Sequence, residues 1–245
     1  EIGSGLVGSE MCIRDSINSV SDLLSLARNC AYDQWSVGKT VILQKDLSLE
    51  GMLWEPIPSF SGQFKGNGHT ISDLTITGQY SPAGLFGIVE EQGSIESLSV
   101  RGVVSVSDSA DTTTGGIVGI NHGTLISCQF TGVVTGDSEV GGIVGRNESE
   151  GTIDHGTARA IVTGKSSTGG IAGYNLGAIT GCTNVGSINT EYPEASLDTD
   201  GFTAKMVDYI NNKMAAADND ATNSVTNVAT DTGGIAGRSS GMILT

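Results

Sequence analysis

Carboxylates are the side chains in this sequence that are best spaced for chemistry. Acidic residues stand in the turns just before three glycine pairs, and they are Asp108, Asp111, Asp137, Glu139 and Asp231. Two carboxylates that face one groove about 5 to 10 Å apart can cleave a glycosidic bond. The equivalent turn at 165–168 contains no acid, and no arginine or aromatic platform for a sugar accompanies the others. We therefore favour a solvated turn, with a carbohydrate-active site of the polysaccharide lyase or glycosidase kind as the alternative.

The sequence offers little for a metal or a cofactor. The acidic turns contain oxygen ligands of the kind that calcium takes, but not the spaced aspartates of a calcium-binding repeat. The three histidines, His69, His122 and His155, occupy different positions relative to the glycines and form no HExxH motif. The segments 38–40 and 164–166 resemble the end of a phosphate-binding loop but lack its first glycine. We predict no catalytic residue, no metal site and no cofactor.

The cysteines form no zinc or disulfide pattern. Cys30, Cys128 and Cys182 lie far apart in the chain, and there is no CxxC pair. Cys128 and Cys182 share a repeat position but are two repeats apart, which corresponds to about 9.6 Å at the spacing of stacked strands. A disulfide needs less than about 7 Å between Cα atoms, so we predict buried free thiols.

The composition indicates a folded, repetitive and acidic chain. Of the 245 residues 36 are glycine, 5% are aromatic and 38% are hydrophobic, and the formal net charge is -15. This charge disfavours nucleic acid as a partner, because phosphate binding is built from lysine and arginine, of which there are only 12. No apolar run approaches the roughly 20 residues that cross a bilayer, so we expect no membrane span in this segment.

A glycine–aliphatic–any–glycine tetrapeptide occurs five times, at intervals of 32, 26, 28 and 64 residues. The paired glycines of the five copies are Gly84, Gly87, Gly116, Gly119, Gly142, Gly145, Gly170, Gly173, Gly234 and Gly237. They define repeats at 83–114, 115–140, 141–168, 169–190 and 233–245. A repeat of this kind is the signature of a solenoid, in which each unit stacks on the next.

A second half follows each of the first four tetrapeptides in fixed register. Counted from Gly93, Gly123, Gly151 and Gly177, an aliphatic residue stands at +2, a small one at +9 and a β-branched one at +11. Short β-branched stretches broken by glycine predict strands and leave no room for a helix in the unit. We therefore predict an all-β, parallel β-helix, right-handed by analogy with known solenoids. Its glycines would serve corners, through positive φ or close backbone approach.

An asparagine column runs through the predicted solenoid. Asn121, Asn147 and Asn175 each lie two residues after the last glycine of a tetrapeptide, and Val89 and Ser239 take this position at either end. Asparagine tolerates corner conformations, and stacked amides can hydrogen-bond from one strand to the next. We predict a structural ladder here rather than a binding site.

Helical patterns flank and interrupt the repeats. Residues 17–35 predict a short amphipathic helix that caps the β-helix, with Ser19 or Ser21 as its N-cap. The β-helix then spans 36–245, apart from an insertion at 191–232. Phe202, Met206, Ile210 and Met214 show helical spacing within this insertion, which predicts one further helix followed by a loop.

The first sixteen residues resemble no natural terminus. The stretch LVGSEMCIRDS matches one translated frame of a transposon-based sequencing adaptor, so we treat 1–16 as a non-native scar. The last repeat stops at Thr245, in the middle of its second half. We therefore expect this chain to be a fragment of a longer protein.

The repeats resemble the GLUG-motif family of bacterial secreted and cell-surface proteins. The resemblance is carried by GGIVGINHGTLISCQFTGVVTG and GGIAGYNLGAITGCTNVGSI, and it covers about 40–190 and 233–245. It implies export, a β-helical rod, and a role in adhesion or surface architecture without established catalytic residues. The leading hypothesis is a non-enzymatic stalk or adhesive surface of an extracellular bacterial protein, whose ligand would be a glycan or a protein.

Overall fold

The computed structural model describes residues 14–32, 34–106, 112–189 and 230–244. Its single described helix, α1, spans Val20–Asn29. The strands before the predicted repeats are β1 (Arg14–Ile17), β2 (Thr40–Leu43), β3 (Leu47–Ser48), β4 (Ile57–Phe60), β5 (Gln63–Lys65) and β6 (Thr70–Gly78). The next strands are β7 (Phe86–Val89), β8 (Ser94–Glu96), β9 (Ser99–Val106), β10 (Thr114–Gly115), β11 (Val118–Asn121), β12 (Thr124–Ile126) and β13 (Gln129–Thr135).

The later repeats form equally short strands. They are β14 (Val140–Gly141), β15 (Val144–Asn147), β16 (Thr152–Asp154), β17 (Thr157–Thr163), β18 (Ser166–Gly169), β19 (Ala172–Asn175), β20 (Ala178–Thr180), β21 (Thr183–Asn184) and β22 (Ser187–Ile188). After the segment at 190–229 the last strands are β23 (Thr230–Gly233), β24 (Ala236–Ser239) and β25 (Met242–Leu244).

Strands at corresponding positions of successive repeats pair in parallel, which confirms the predicted β-helix. Sheet 1 has the order β1-β2-β5-β8-β12-β16-β20-β25, and sheet 2 has the order β21-β17-β13-β9-β6-β3, with β22 also paired to β17. Sheet 3 has the order β24-β19-β15-β11-β7-β4, and the short sheet 4 has the order β10-β14-β18-β23. Each turn of the chain, here called a coil, contributes one strand to each large sheet. The coil therefore buries in its interior the apolar face that no unit could bury alone.

The tetrapeptides stack in register. The N–H of Ile117 donates to the carbonyl of Ile143 at 3.0 Å, and the carbonyl of Ile117 accepts from the N–H of Phe86 at 2.9 Å. In sheet 3, Val118 pairs with Phe86 on one side and with Val144 on the other. Side chains of the same repeat position are therefore neighbours across coils, so spacing along the sequence becomes a column in the structure.

Glycine is required in the tetrapeptides by close backbone approach, not by positive φ. A Cβ atom on Gly142 would lie 2.2 Å from the carbonyl oxygen of Gly170 in the next coil. At Gly173 it would lie 2.2 Å from the carbonyl carbon of Glu139. Neither residue is among those with positive φ. Of the two reasons for corner glycines given above, crowding between coils applies at these positions.

Most of the largest buried side chains belong to the first coils. The rings of Phe60 and Phe64 each lie 5.4 Å from the ring of Phe86, and all three side chains are fully buried. The column of Phe86 continues through Val118 and Val144 to Ala172. Smaller side chains let later coils close around less volume, in keeping with the close packing of protein interiors.

Helix α1 covers the first coil. Its N-cap is Ser19, whose hydroxyl accepts a 3.2 Å hydrogen bond from the N–H of Asp22. Leu23 and Leu26 are buried, and Cys30 just after the helix is buried with them. The helix thereby places an apolar face over a β-helix end whose strand edges would otherwise be open.

Two predicted segments fall wholly or partly outside the described residues. The predicted helix in the insertion at 191–232 lies outside them, and β23 begins at Thr230. Of the presumed scar at 1–16, the described part is 14–16, which forms β1 together with Ile17 and pairs in parallel with β2.

Candidate functional site

The outer surface of the coils contains the groups that could bind or react. Its most regular part is sheet 2, where β9, β13 and β17 pair over seven residues each. The other part is the corner between sheets 2 and 4, where the described acidic turn lies between β13 and β14. The asparagine, cysteine and histidine positions complete the set of predicted sites.

The two carboxylates of the described acidic turn, those of Asp137 and Glu139, each contact a basic side chain. The carboxylate of Asp137 is 2.5 Å from Nζ of Lys165 in the next coil. Glu139 accepts from the guanidinium of Arg146 at 2.9 Å and from the hydroxyl of Thr113 at 3.0 Å. A nucleophile or proton donor needs a carboxylate that is free to face its substrate. These two face basic side chains, while Asp108 and Asp111 lie outside the described residues, as does the side chain of Asp231.

A column of stacked cations and one aromatic ring lies beside the acidic turns. Arg146, Tyr174 and Arg238 occupy the same position on three successive strands of sheet 3. The guanidinium carbons lie 5.1 and 5.4 Å from the Tyr174 ring centre, one on either side in the stack. Arg146 also contacts the carboxylate of Glu148 at 2.7 Å. Cation–π contacts and ion pairs thus neutralise this corner internally.

The asparagine column forms a buried hydrogen-bonded ladder. Asn121, Asn147 and Asn175 pair in register, with Val89 before them and Ser239 after them. Nδ2 of Asn121 donates to Oδ1 of Asn147 at 2.7 Å, and Nδ2 of Asn147 donates to Oδ1 of Asn175 at 2.8 Å. All three side chains are inaccessible to solvent. Their amide groups form hydrogen bonds with the neighbouring coils inside the core, so they are not accessible to a ligand.

The described cysteines are free thiols. Burial raises the pKa of Cys128 to about 12 and that of Cys30 to about 11. Burial raises the pKa of Cys182 as well, and its Sγ accepts a hydrogen bond from the N–H of Gly156 at 3.2 Å. A high pKa keeps a thiol protonated and unreactive, so these residues fill space in the repeat.

The histidines do not converge. His69 contacts Asp46 at 3.2 Å and His155 contacts Asp154 at 2.8 Å, on different parts of the surface. Within the described ranges, no three histidine, cysteine or acidic side chains are grouped so as to hold a metal ion. His69 and His155 thus each pair with one carboxylate, and the described residues place no carboxylate within ion-pair distance of His122.

Sequence reasoning missed the residues of one corner. Asn67, Ser97, Ser127 and His155 all have φ between 52° and 53°, and Gly181 follows them with φ of 58°. Apart from Asn67, they stand four residues after a reference glycine of the repeat. Serine and histidine do not by themselves indicate positive φ. The sequence did contain a signal, because the fourth repeat has glycine, Gly181, at the position that serine or histidine takes in the others.

It also missed a polar groove of about 390 Å³ on the outside of sheet 2. Its polar lining comprises Thr70, Ser99, Arg101, Gln129, Thr131 and Arg159. Thr131 pairs with Arg101 on one side and with Arg159 on the other, so the three form one column. The signal was present in the sequence, because all three stand eight residues after a reference glycine.

Together these features define the class of the protein as a parallel β-helix whose described acidic turn is engaged in ion pairs. No protein-family model matches the chain. It is 30% identical over 155 residues to halomucin of Haloquadratum walsbyi, an alignment that covers 58% of this chain and 2% of that protein. It is 29% identical over 137 residues to a candidate Gly-rich membrane protein of Evansella cellulosilytica, covering 40% of this chain and 16% of that protein. The chain thus spans only a small part of the curated relatives it matches.

A solved structure was also found by comparison of folds. It is a candidate immunoglobulin A1 protease from Bacteroides ovatus, with 14% sequence identity and a TM-score of 0.37 over 84% of this chain and 77% of that one. Among the described residues, no helix combines the length and the apolar character needed to span a membrane.

Proposed function

We propose that this chain is a non-enzymatic β-helical segment of a bacterial extracellular or cell-surface protein, acting as a stalk or as an adhesive surface. The observation that carries the proposal is the asparagine ladder. It ties successive coils together inside the core through bonds of 2.7 and 2.8 Å. A buried ladder of this kind fixes the register of the coils, so the outer faces form a rigid and regular surface.

The state of the acidic turns supports binding over catalysis. Asp137 and Glu139 are the described carboxylates of the predicted carbohydrate-active alternative, and each lies against a lysine or an arginine. Glycoside cleavage needs one free carboxylic acid and one free carboxylate across a groove. The carboxylates of Asp137 and Glu139 instead link their coil to Lys165 of the next coil and Thr113 of the preceding coil.

The names of the relatives support the proposed location. One is called a halomucin and another a membrane protein. The resemblance to GLUG-motif repeats implies export as well. Adhesion and bacterial origin enter the proposal through that resemblance.

The proposal is tested by exposing the full chain to a panel of polysaccharides and extracellular proteins, with binding and product release measured in the same samples. We expect retention on at least one polymer and no new reducing or unsaturated sugar ends. Turnover that disappears in the Asp137→Asn, Glu139→Gln variant would overturn the proposal in favour of the carbohydrate-active alternative. A chain that binds no member of the panel would count against an adhesive surface.

A further inference from the structure

The groove on sheet 2 is lined by two arginines of one column. Arg101 and Arg159 flank Thr131 in one column, and no carboxylate of the described residues forms an ion pair with either guanidinium. By contrast, Lys39, Arg146 and Lys165 each contact an acid. Arg28, Lys45, Lys65 and Arg238 also lack an ion pair among the described residues. Arg101 and Arg159 differ from Arg28, Lys45 and Lys65 in their placement, because the register of sheet 2 holds both in one column that lines a groove.

The acid nearest in register is turned to other partners. Asp73 lies in the bulge of β6 that faces the Arg101 position. Its carboxylate accepts from the hydroxyls of Ser48 at 2.7 Å and Ser72 at 2.8 Å. Asp73 therefore forms no ion pair with Arg101, although its negative charge stays nearby. The carboxylate of Asp46 lies at the edge of the groove, where it accepts from the N–H of Thr70 at 2.9 Å.

The side chains between and beside the arginines are neutral donors and acceptors. Thr131 separates the two guanidinium groups, and Ser99 and Gln129 form the adjacent column, since they pair with each other across β9 and β13. Val100, the apolar residue of the lining, is fully buried. Protein interfaces rely on exposed aromatic and aliphatic anchors, and this groove presents none.

We infer that the groove binds an acidic glycan, through carboxylate or sulfate groups held by Arg101 and Arg159. The planar guanidinium donates two parallel hydrogen bonds to such oxyanions. The hydroxyl and amide groups between the arginines match the sugar hydroxyls. Arg101 and Arg159 lie two strands apart, about 9.6 Å at the usual strand spacing, so a linear polymer with regularly spaced acidic groups can engage both. This inference rests on the proposed function and names the ligand class of its binding surface.

The test is affinity electrophoresis and calorimetry of the full chain with four polymers. They are polygalacturonate for carboxylates, dextran sulfate for sulfates, dextran as the neutral glycan and polyglutamate as an acidic peptide. We expect binding to one or both acidic glycans that weakens as sodium chloride is raised. Preference for polygalacturonate or for dextran sulfate would identify the acidic group.

Variants assign the binding to the groove. The Arg101→Gln, Arg159→Gln variant is expected to lose at least about tenfold in affinity for the acidic glycan, because charge-assisted hydrogen bonds are lost. Arg101→Lys, Arg159→Lys keeps the charge without the planar fork and should fall in between. The matched control is Arg28→Gln, Lys65→Gln, which removes the same charge from α1 and β5 and should bind like the parent chain.

Other outcomes would overturn the inference. Acidic-glycan binding that survives in the double glutamine variant would place the site elsewhere and leave the proposed adhesive surface intact. Binding to dextran or polyglutamate alone would assign another ligand class to that surface. Absence of binding to all four polymers would reject an acidic-glycan site, while the wider panel of glycans and proteins decides the proposed function independently.

Discussion

Nδ2 of Asn121 donates a 2.7 Å hydrogen bond to Oδ1 of Asn147, although 26 residues separate the two in the chain. Both side chains are fully buried. An amide in an apolar core is costly unless its hydrogen bonds are satisfied. Here each amide satisfies the next, and the bond forms only when two coils are stacked in the correct register. The ladder thus stabilises the solenoid only when its coils are stacked in the correct register.

Asn147→Ala should destabilise the chain by about 2 to 4 kcal/mol, because it leaves Oδ1 of Asn175 without its donor and opens a cavity. Nδ2 of Asn147 also donates to the carbonyl of Gly151 at 3.1 Å, which would be lost. Urea unfolding followed by circular dichroism measures the change. The control is Gln44→Ala, which removes a single exposed amide contact to the hydroxyl of Ser16 at 3.4 Å. Equal losses in the two variants would contradict a special role for the ladder.

Gly173→Ala should cost about 3 kcal/mol or more, because the added methyl group overpacks a rigid contact. A Cβ there would lie 2.2 Å from the carbonyl carbon of Glu139 and 2.3 Å from the amide nitrogen of Val140, both backbone atoms of the preceding coil. Thermal unfolding of the purified variant gives the difference.

Gly87 is the matched control, since it holds the same place in the first tetrapeptide. Its nearest approach would be 3.1 Å, to the carbonyl oxygen of Pro58. Gly87→Ala should therefore cost about 1 kcal/mol or less. A larger loss at Gly87 than at Gly173 would show that crowding is not the reason for glycine in the tetrapeptide.

The stacking of the coils was predictable because a solenoid turns sequence spacing into spatial neighbourhood. The pairing of Val118 with Phe86 and Val144 follows from the tetrapeptide spacing alone. The spacing of residues along the sequence does not show which groups a long side chain will contact. The contacts of Arg146 with Glu139 and Glu148 depend on how the arginine leaves sheet 3, so the acidic turns looked free in the sequence although their described carboxylates are engaged.

The sequence predicted the role of the glycines only in part, because the backbone conformation at a corner also depends on stacking. Positive φ was expected at glycine corners. In the corner between sheets 1 and 2, however, the left-handed position belongs to Asn67, Ser97, Ser127 and His155, and glycine takes it at Gly181 and follows it at Gly68. Tertiary stacking imposes one corner geometry on every coil and overrides the preference of an individual residue.

The buried thiols should resist alkylation in the folded chain. Burial raises the pKa of Cys128 to about 12 and that of Cys30 to about 11. Only about one Cys128 thiol in ten thousand would then be ionised at pH 8, and the thiolate is the nucleophile. Cys12, which lies in the presumed scar at 1–16, is replaced by serine so that it does not react. Mass spectrometry after iodoacetamide treatment should then show Cys30 and Cys128 unmodified when the chain is folded and modified in guanidinium chloride. Fast modification of folded Cys128 would contradict its burial.

The same thiol gives a pH dependence of defined sign. Its pKa in the folded chain lies above the ordinary value of 9.0, at about 12. The unfolded thiol therefore loses its proton first as the pH rises. The contribution to stability is complete below pH 9 and is lost as the pH approaches 12. The difference in unfolding free energy between the parent chain and Cys128→Ala should shrink over this range. An unchanged difference would argue against a raised pKa.

Ser127→Gly should stabilise the chain by about 0.5 kcal/mol, because Ser127 has φ of 52° and only glycine adopts this region without strain. The side chain is exposed, so its removal takes no packing from the core. The backbone N–H of Ser127, which donates to the carbonyl of Asp154 at 2.8 Å, is kept. Relief of strain of about 1 to 2 kcal/mol is offset in part by the greater freedom of glycine in the unfolded chain.

Ser105→Gly in the extended part of β9 is the control and should destabilise by about 0.5 to 1 kcal/mol. Equilibrium unfolding in urea distinguishes the two, and a loss of stability at Ser127 would mean that its hydroxyl makes a contact worth more than the strain.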